Sequence, residues 1–539
     1  MEFEFTSRRS PVYGMNGMVA SSQPLATAAG LKILQSGGNA ASAAIAVAAA
    51  LNVTEPTSTG LGGDAFALFY SADQKRVFAL NGSGRAPGNL SLKKLQSEGI
   101  TRLPFYHPYT ITVPGACAAW FDLNSRFGNM SFSEVLQPAI DLAQSGFPVA
   151  AITAYFWQLA AQGQLKNALN GGEMLIDGDA PKAGQIFHNK GLARTLRLIA
   201  DHGKDVFYQG EIADAIVSAV NQAGGCFSKS DLAEHISTWE EPISIDFENK
   251  RIWECPPNGQ GLAALLALNI LKNFDLECLH PLSTQRLHYE IEAMRLAFAD
   301  AFFHIADSST NPAPLAFLLS DQYAHERAAQ IRTKKRIENV EHGLPPATSD
   351  TVYFCVVDQF GNACSFINSN YMGFGTGIVP SGFGFSLQNR GHNFSLEENH
   401  PNCLAPRKRP YHTIIPAMVT DAFNGELIGP FGVMGGFMQP QGHMQVAISL
   451  FIDRLDPQQA LDLPRFCIQP EQTNNFIAIE KGIPERTYKE LAEMGHPLQL
   501  IEGMQRAVFG RGQIILRDQD SHVLAGGSDP RADGCVMTL

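Results

Sequence analysis

The chain has 539 residues, 45% hydrophobic and 17% charged, enough to bury a substantial core and too apolar for extensive disorder. Its formal net charge of -12 disfavours general binding to nucleic acid or to an anionic membrane, since both need a concentrated basic surface. There is no run of about 20 apolar residues to span a bilayer, no apolar stretch of a secretory signal in MEFEFTSRRSPVYG, and no C-x-x-C pair among nine scattered cysteines. The expectation is a cytoplasmic protein with buried, reduced thiols and neither a zinc site nor a thioredoxin-like centre.

In chain order, Ala26–Ser36 has helix-favouring composition and stops at Gly37-Gly38, a C-cap pattern. Asn39 can cap an alanine-rich helix over Ala40–Leu51, whose small residues imply burial on more than one side. The turn-rich Thr57-Ser-Thr-Gly-Leu-Gly-Gly63 then leads into Ala65–Tyr70, a buried strand. Two helices feeding a strand indicate helices packed on a sheet. Residues 120–345 read as largely helical, with Ser228-x-x-Asp231 as a capping box and long helices over Leu262–Phe274 and Thr284–Phe303. Arg332–Ser349, polar, charged and proline-containing, is the best linker candidate.

After it the texture changes. Thr351–Asp358 reads as a strand, Gln359-Phe-Gly-Asn362 as a turn, and Ala363–Ile367 as the return strand. Further strands are expected over Thr413–Thr420, Glu426–Met434, Phe476–Ile479 and Gln513–Leu516, with a helix over Met444–Arg454. No repeat is visible. The first half is helix-rich and has too few strands of its own, so one layered α+β domain is expected rather than two.

A threonine at the head of a strand is ordinarily a β-former. Thr351, however, follows an accessible polar linker. If the Asp350–Thr351 bond broke, Thr351 would carry a hydroxyl and a free α-amine on one residue. Such an amine, with a pKa of roughly 7.7–8.0, is partly neutral in the cell and can take the hydroxyl proton. Threonine with its own terminal amine is a known solution for activating a weak nucleophile.

The chain resembles the gamma-glutamyltranspeptidase family of N-terminal-nucleophile hydrolases over nearly its whole length. The blocks that carry the resemblance run in order: Gly17-Met-Val-Ala20, Gly37-Gly-Asn-Ala40, Leu61-Gly-Gly63, Val113-Pro-Gly115, Pro256-Pro257 with Gly259-Gln-Gly261, and His288-Tyr289 with Glu292-Ala-Met294. They continue through Thr351–Asp358 with Gly361-Asn362, Phe374-Gly-Thr-Gly-Ile378, Gly435-Gly436, Pro464-Arg-Phe466, and Asp529-Pro-Arg531 with Gly534. The resemblance implies a four-layer αββα sandwich made as one precursor, cut into Met1–Asp350 and Thr351–Leu539, with the two pieces remaining associated. It implies Thr351 as nucleophile, Ser369 as the hydroxyl that hydrogen-bonds it, and the backbone amides of Gly435 and Gly436 as the oxyanion hole. Glycine suits that last task because no side chain blocks the amides, and one such donor is worth about 2.7–4 kcal/mol.

The departures from the family pattern lie in the acyl pocket. An arginine expected after Ala86-Pro87 is Leu92 here, with Lys93 beside it. An aspartate that meets the substrate ammonium becomes Asn393, a nearby glutamine becomes Arg390, two serines become His412 and Thr413, and an asparagine becomes Tyr371. These positions hold one cation and no anion, which suits an acyl group carrying a carboxylate but no α-amine, as glutaryl does. The competing reading makes Arg390 a solvated surface charge. Gly373, Gly375 and Gly377 lack phosphate-loop spacing, and His392, His400, His412 and His443 lack ligand spacing, so no metal site is expected. Only His412 is retained, as a pocket-lining residue. Asp529-Pro-Arg531 reads as a structural turn.

The expected activity is that of an amidase/acyltransferase using a small amide with water or an amine acceptor, with no cofactor. The alternatives are an orthodox glutathione hydrolase/gamma-glutamyltransferase and a pseudoenzyme scaffold. No nucleic acid or membrane partner is expected, and a homo-oligomer is allowed.

Overall fold

The computed structural model describes residues 9–338, 340, 350–469 and 476–539. Alternation along the strand Asp350–Val357 sets the architecture. Val352, Phe354 and Val356 enter a core under helices, whereas Tyr353, Cys355 and Val357 enter a core between two sheets. The first sheet runs, in spatial order, Cys535–Thr538, Met18–Ser21, Asp350–Val357, Ala363–Tyr371, Asp64–Ser71, Arg76–Gly82 and Thr238–Glu240. The second runs Val12–Gly14, Leu524–Ser528, Arg511–Arg517, Leu427–Met434, Ala417–Asp421, Lys250–Glu254 and Ile243–Phe247. Adjacent strands in both are antiparallel.

Helices close both outer faces. Ala40–Thr54, capped by the Asn39 side chain on Ser42 N, is buried along its whole length against the first sheet. Gly261–Leu271 and Met438–Phe451 are likewise buried throughout and cover the second. The result is the expected four-layer αββα sandwich.

The two sheets approach closely at Gly432. A Cβ there would lie 2.6 Å from the Tyr353 ring, whose hydroxyl is fixed on Ser365 Oγ at 2.8 Å. Only glycine leaves room for the tyrosine to lie across the neighbouring sheet.

Several elements differ from the sequence expectation. The first half is not short of strands: each sheet takes strands from both sides of Asp350. Thr238–Glu240, Ile243–Phe247 and Lys250–Glu254 were hidden by their mixed polar composition. The strand expected at Thr413 begins at Ala417, because the preceding segment bonds elsewhere, as with Ile415 N on Gln439 Oε1. The helix expected at Met444 begins at Met438. The linker Arg332–Ser349 falls largely outside the described residues. The cysteines form no disulfide, but burial is incomplete: Cys278 is exposed, and Cys226, Cys403 and Cys535 are half-buried. Asp529-Pro-Arg531 is structural, with Arg531 pairing to Asp529 at 2.9 Å and to Glu480 at 2.6 Å. Among the described residues no helix is long and apolar enough to cross a membrane.

Gly432→Ala is expected to cost about 1–3 kcal/mol by overpacking. Urea unfolding should show a lowered midpoint with an unchanged slope.

Candidate active site

The geometry at Thr351 follows from an irregularity in strand pairing. Asp350 pairs with Tyr371 and Val352 with Asn368, so Thr351 alone faces both Ser369 and Asn370. A bulge of this kind re-aims side chains. It brings Ser369 Oγ to 3.1 Å from Thr351 Oγ1, with both residues fully buried. Ser369 Oγ also accepts the Tyr371 N–H at 2.9 Å and an Arg390 N–H at 3.1 Å. Either hydroxyl can donate in the Thr351–Ser369 bond; with two N–H groups already on the Ser369 oxygen, donation from the serine suits its remaining capacity.

Arg390 is fully buried, which excludes the solvated-charge reading. One terminal nitrogen donates to Thr413 Oγ1 at 2.6 Å and the other to Ser369, while the guanidinium lies 4.5 Å from the Tyr371 ring centre. Its Nε has no hydrogen-bond partner among the described residues, and the Tyr371 hydroxyl oxygen lies within reach of the Asn393 side chain. Burial lowers the Arg390 pKa to about 10, against the pull of Asp64 and Tyr371, so it remains a cation at neutral pH. Tyr371 sits at φ 79°, a left-handed conformation a tyrosine adopts at a cost.

The counter-charge is Asp64, at the head of the adjacent strand. Its Oδ1 accepts from Gly84 N, Gly115 N and Gln388 Nε2, and its Oδ2 accepts from His412 Nε2 at 3.0 Å. Burial alone would raise this carboxyl; the bond from His412 and the charges around it outweigh burial and hold it below its usual value. His412 is pushed down to about 3 by burial, with Arg390 adding to the effect, so it is a neutral imidazole donating one N–H. The count of one cation and no anion therefore needs correction: Asp64 supplies the anion, with both oxygens already occupied.

Asn393 lies in the same short turn as Arg390, and its side-chain amide donates to Tyr411 O at 3.1 Å. Gly435 and Gly436 lie between the strand ending at Met434 and the helix starting at Met438, at φ 134° and 57°. Their carbonyls are fixed by Met438 N, Gln439 N and Gln260 Nε2, which also holds Thr413 O. These bonds set the tilt of the glycine peptide planes. A cavity of about 520 Å³ reaches Gly435 and is also lined by Met372 and Gly373.

Leu92 opens a helix over Leu92–Ser97 and Lys93 is exposed. The other histidines engage separate partners: His392 with Leu103 O, His400 with Asn402 N, and His443 with Glu254. Asp64 and Gln388 were missed in the sequence. An acid opening the otherwise apolar run Ala65–Tyr70 was the available signal.

An αββα sandwich with a threonine heading an inner strand is the arrangement of the N-terminal-nucleophile hydrolases. The gamma-glutamyltranspeptidase family model matches residues 26–539. The structure is similar to a cephalosporin acylase from Bacillus halodurans (TM-score 0.92, 45% identity, covering 100% of this chain and 98% of that one). The sequence is 35% identical to the glutathione hydrolase-like YwrD proenzyme of Bacillus subtilis, covering 98% of this chain and 99% of the relative. It is 30% identical to the oxamate amidohydrolase proenzyme of Klebsiella pneumoniae, with 97% and 98% covered. The chain belongs to the gamma-glutamyltranspeptidase family, and it is an enzyme, an N-terminal-nucleophile hydrolase/acyltransferase of the gamma-glutamyltransferase type.

His412 has a folded-state pKa below its ordinary value of 6.5. Its stabilising contribution is thus complete above pH 6.5 and is lost as pH falls towards 3. His412→Gln should lower stability at pH 7, and the gap to wild type should narrow by about 2 kcal/mol by pH 5. Denaturant titrations at both pH values check this; a constant gap would contradict it.

Proposed function

We propose that the chain is a self-processing amidase/acyltransferase that cuts at Asp350–Thr351 into Met1–Asp350 and Thr351–Leu539. It then uses Thr351 to take an acyl group bearing a distal carboxylate but no α-amine. The observation that carries this reading is the buried line from Thr351 Oγ1 through Ser369 Oγ to Arg390. The Thr351 oxygen attacks the amide carbonyl while its proton passes to the freed α-amine. The backbone amides of Gly435 and Gly436 receive the oxyanion. The proton then moves to the departing amine, and water or an acceptor amine releases the acyl group by the same steps in reverse. Ser369, donating towards Thr351 with a cation behind it, favours the developing alkoxide.

The acyl preference is argued from donors and acceptors. Arg390 Nε is a buried donor without a partner among the described residues, and a carboxylate would satisfy it and would also accept the Tyr371 hydroxyl proton. His412 and Thr413 line this side through their contacts with Asp64 and Arg390. A substrate ammonium would need an anion. Asp64 has its oxygens filled, and Asn393 offers only an amide already engaged. The interleaved sheets support continued association of the two pieces, and nine cysteines without a disulfide support a cytoplasmic location.

Intact mass spectrometry of the purified wild type should give two fragments split at Asp350–Thr351, and Thr351→Ala should stay whole. A wild type that never splits would sink the proposal. Glutaryl p-nitroanilide should be turned over faster than the γ-glutamyl anilide, and Arg390→Gln with Asn393→Asp should reverse the order; γ-glutamyl preference in wild type contradicts the acyl assignment. A nearby cation disfavours the protonated amine. The ascending limb of the pH profile of kcat/KM should therefore lie below about 7.7, and Arg390→Gln should move it upward.

A further inference from the structure

We infer that the cavity of about 520 Å³ beside Gly435 receives the leaving amine of the substrate, and that this amine carries a bulky, uncharged, apolar body. The inference rests on the proposed acyl chemistry at Thr351 and adds the other half of the substrate.

The cavity's place decides which half it holds. The residues assigned to the acyl group, Tyr371, Arg390, His412 and Thr413, are buried and do not line it, whereas Gly435 does. An amide carbonyl whose oxygen sits on the glycine amides has its acyl chain on one side and its nitrogen on the other. With the acyl chain on the Arg390 side, the nitrogen substituent is directed into the cavity. Its size exceeds what a small amine needs and falls within the range of pockets built for drug-sized ligands.

The lining decides the chemistry. Phe156, Leu159, Met372, Phe437, Met438 and Val508 form apolar walls. Three of the large apolar side chains that this protein leaves exposed, Tyr106 (49%), Tyr155 (37%) and Leu159 (51%), gather at this one cavity. Exposed apolar groups scattered singly need no explanation, but a cluster at the mouth of a cavity marks a binding surface. Among the described lining residues there is no Asp, Glu, Lys or Arg; the polar groups are Thr57, Gln164, Gln469 and Gln505, a cysteine, and the hydroxyls of Tyr106 and Tyr155. A dipeptide leaving group such as that of glutathione would bring a carboxylate to a wall whose described lining residues include no cation. An aromatic or fused-ring amine would bury its surface against matching side chains.

The test compares two amides with the same glutaryl acyl group and alkylamine leaving groups of similar basicity: the ethylamide and the 2-(1-naphthyl)ethylamide. Wild type should favour the naphthyl substrate by about tenfold or more in kcat/KM. Leu159→Asp, at an exposed position on the cavity wall, should lower kcat/KM for the naphthyl amide about tenfold more than for the ethylamide, a selective loss that general unfolding would not produce. Independently of turnover, neutral 2-(1-naphthyl)ethanol should bind wild type saturably by fluorescence, and Leu159→Asp should weaken that binding. Equal kcat/KM for the two amides, or unsaturable naphthyl binding, overturns the inference. If the naphthyl probe binds but no acyl adduct forms on Thr351 with either amide, the catalytic reading fails while the pocket stands.

Discussion

The nucleophile proposed for this chain carries a free α-amine and so must be the first residue of a chain, yet Thr351 is fully buried at the head of an inner strand. Chain ends normally lie at the surface, where their charge is solvated. A strand edge at the centre of a sheet also has to stay paired. The sheet order meets both demands. Asp350–Val357 is flanked by Met18–Ser21 from the first part of the chain and Ala363–Tyr371 from the second. The second sheet repeats the interleaving, with Ala417–Asp421 beside Lys250–Glu254. A chain break before Thr351 would leave every ladder bond from Val352 onward in place, because none depends on the residues ahead of Thr351.

The same burial makes electrostatics decisive. Removing a guanidinium from water costs several kcal/mol unless it is paired. Arg390 is matched by Asp64 without touching it, while His412 stays neutral and passes one hydrogen bond to the carboxylate. This separation leaves the Arg390 donors for Ser369, Thr413 and one further acceptor. Had Asp64 formed a direct fork with Arg390, the cation would have been consumed by the protein itself. The carboxylate partners of two buried histidines differ accordingly: His412 serves Asp64, held ionised, whereas burial pushes the carboxyl of His443's partner Glu254 well up.

What the sequence made legible was whatever carries its own local signal. The Asn39 cap, the Ser228–Asp231 capping box, the buried alanine helix and the Thr351 strand with its Gly361 turn all appear where their residues place them. The strands within Thr238–Glu254 did not, since alternation such as Ile243-Ser-Ile-Asp-Phe247 is short, and Thr238–Glu240 and the hairpin strand Lys250–Glu254 join their sheets through partners more than 150 residues away. Asp64 was invisible as a site residue because its role exists only once four donors from distant segments converge on it. Arg390 shows the limit from the other side. Its replacement of a glutamine was readable, but its burial depends on the Tyr371 ring and the Thr413 hydroxyl, two contacts that no spacing in the chain encodes.

The two sides of Gly435 obey different physics, and that difference bears on how specificity is divided. On the Arg390 side, the proposed recognition is a matter of an unfilled donor in a dry site, where a missing acceptor leaves a buried polar group unpaired and discrimination is steep. On the cavity side, the proposed recognition is by apolar area, which grows gradually with ligand size and tolerates variation in shape. An enzyme built this way would be exacting about the acyl group and permissive about the amine. The order matters chemically, because the acyl group is the part that becomes covalently bound and must be held through two transition states, while the amine has only to leave. In the proposed mechanism the interactions that persist through both steps are those at Ser369, Arg390 and Thr413, so binding energy invested there would count twice.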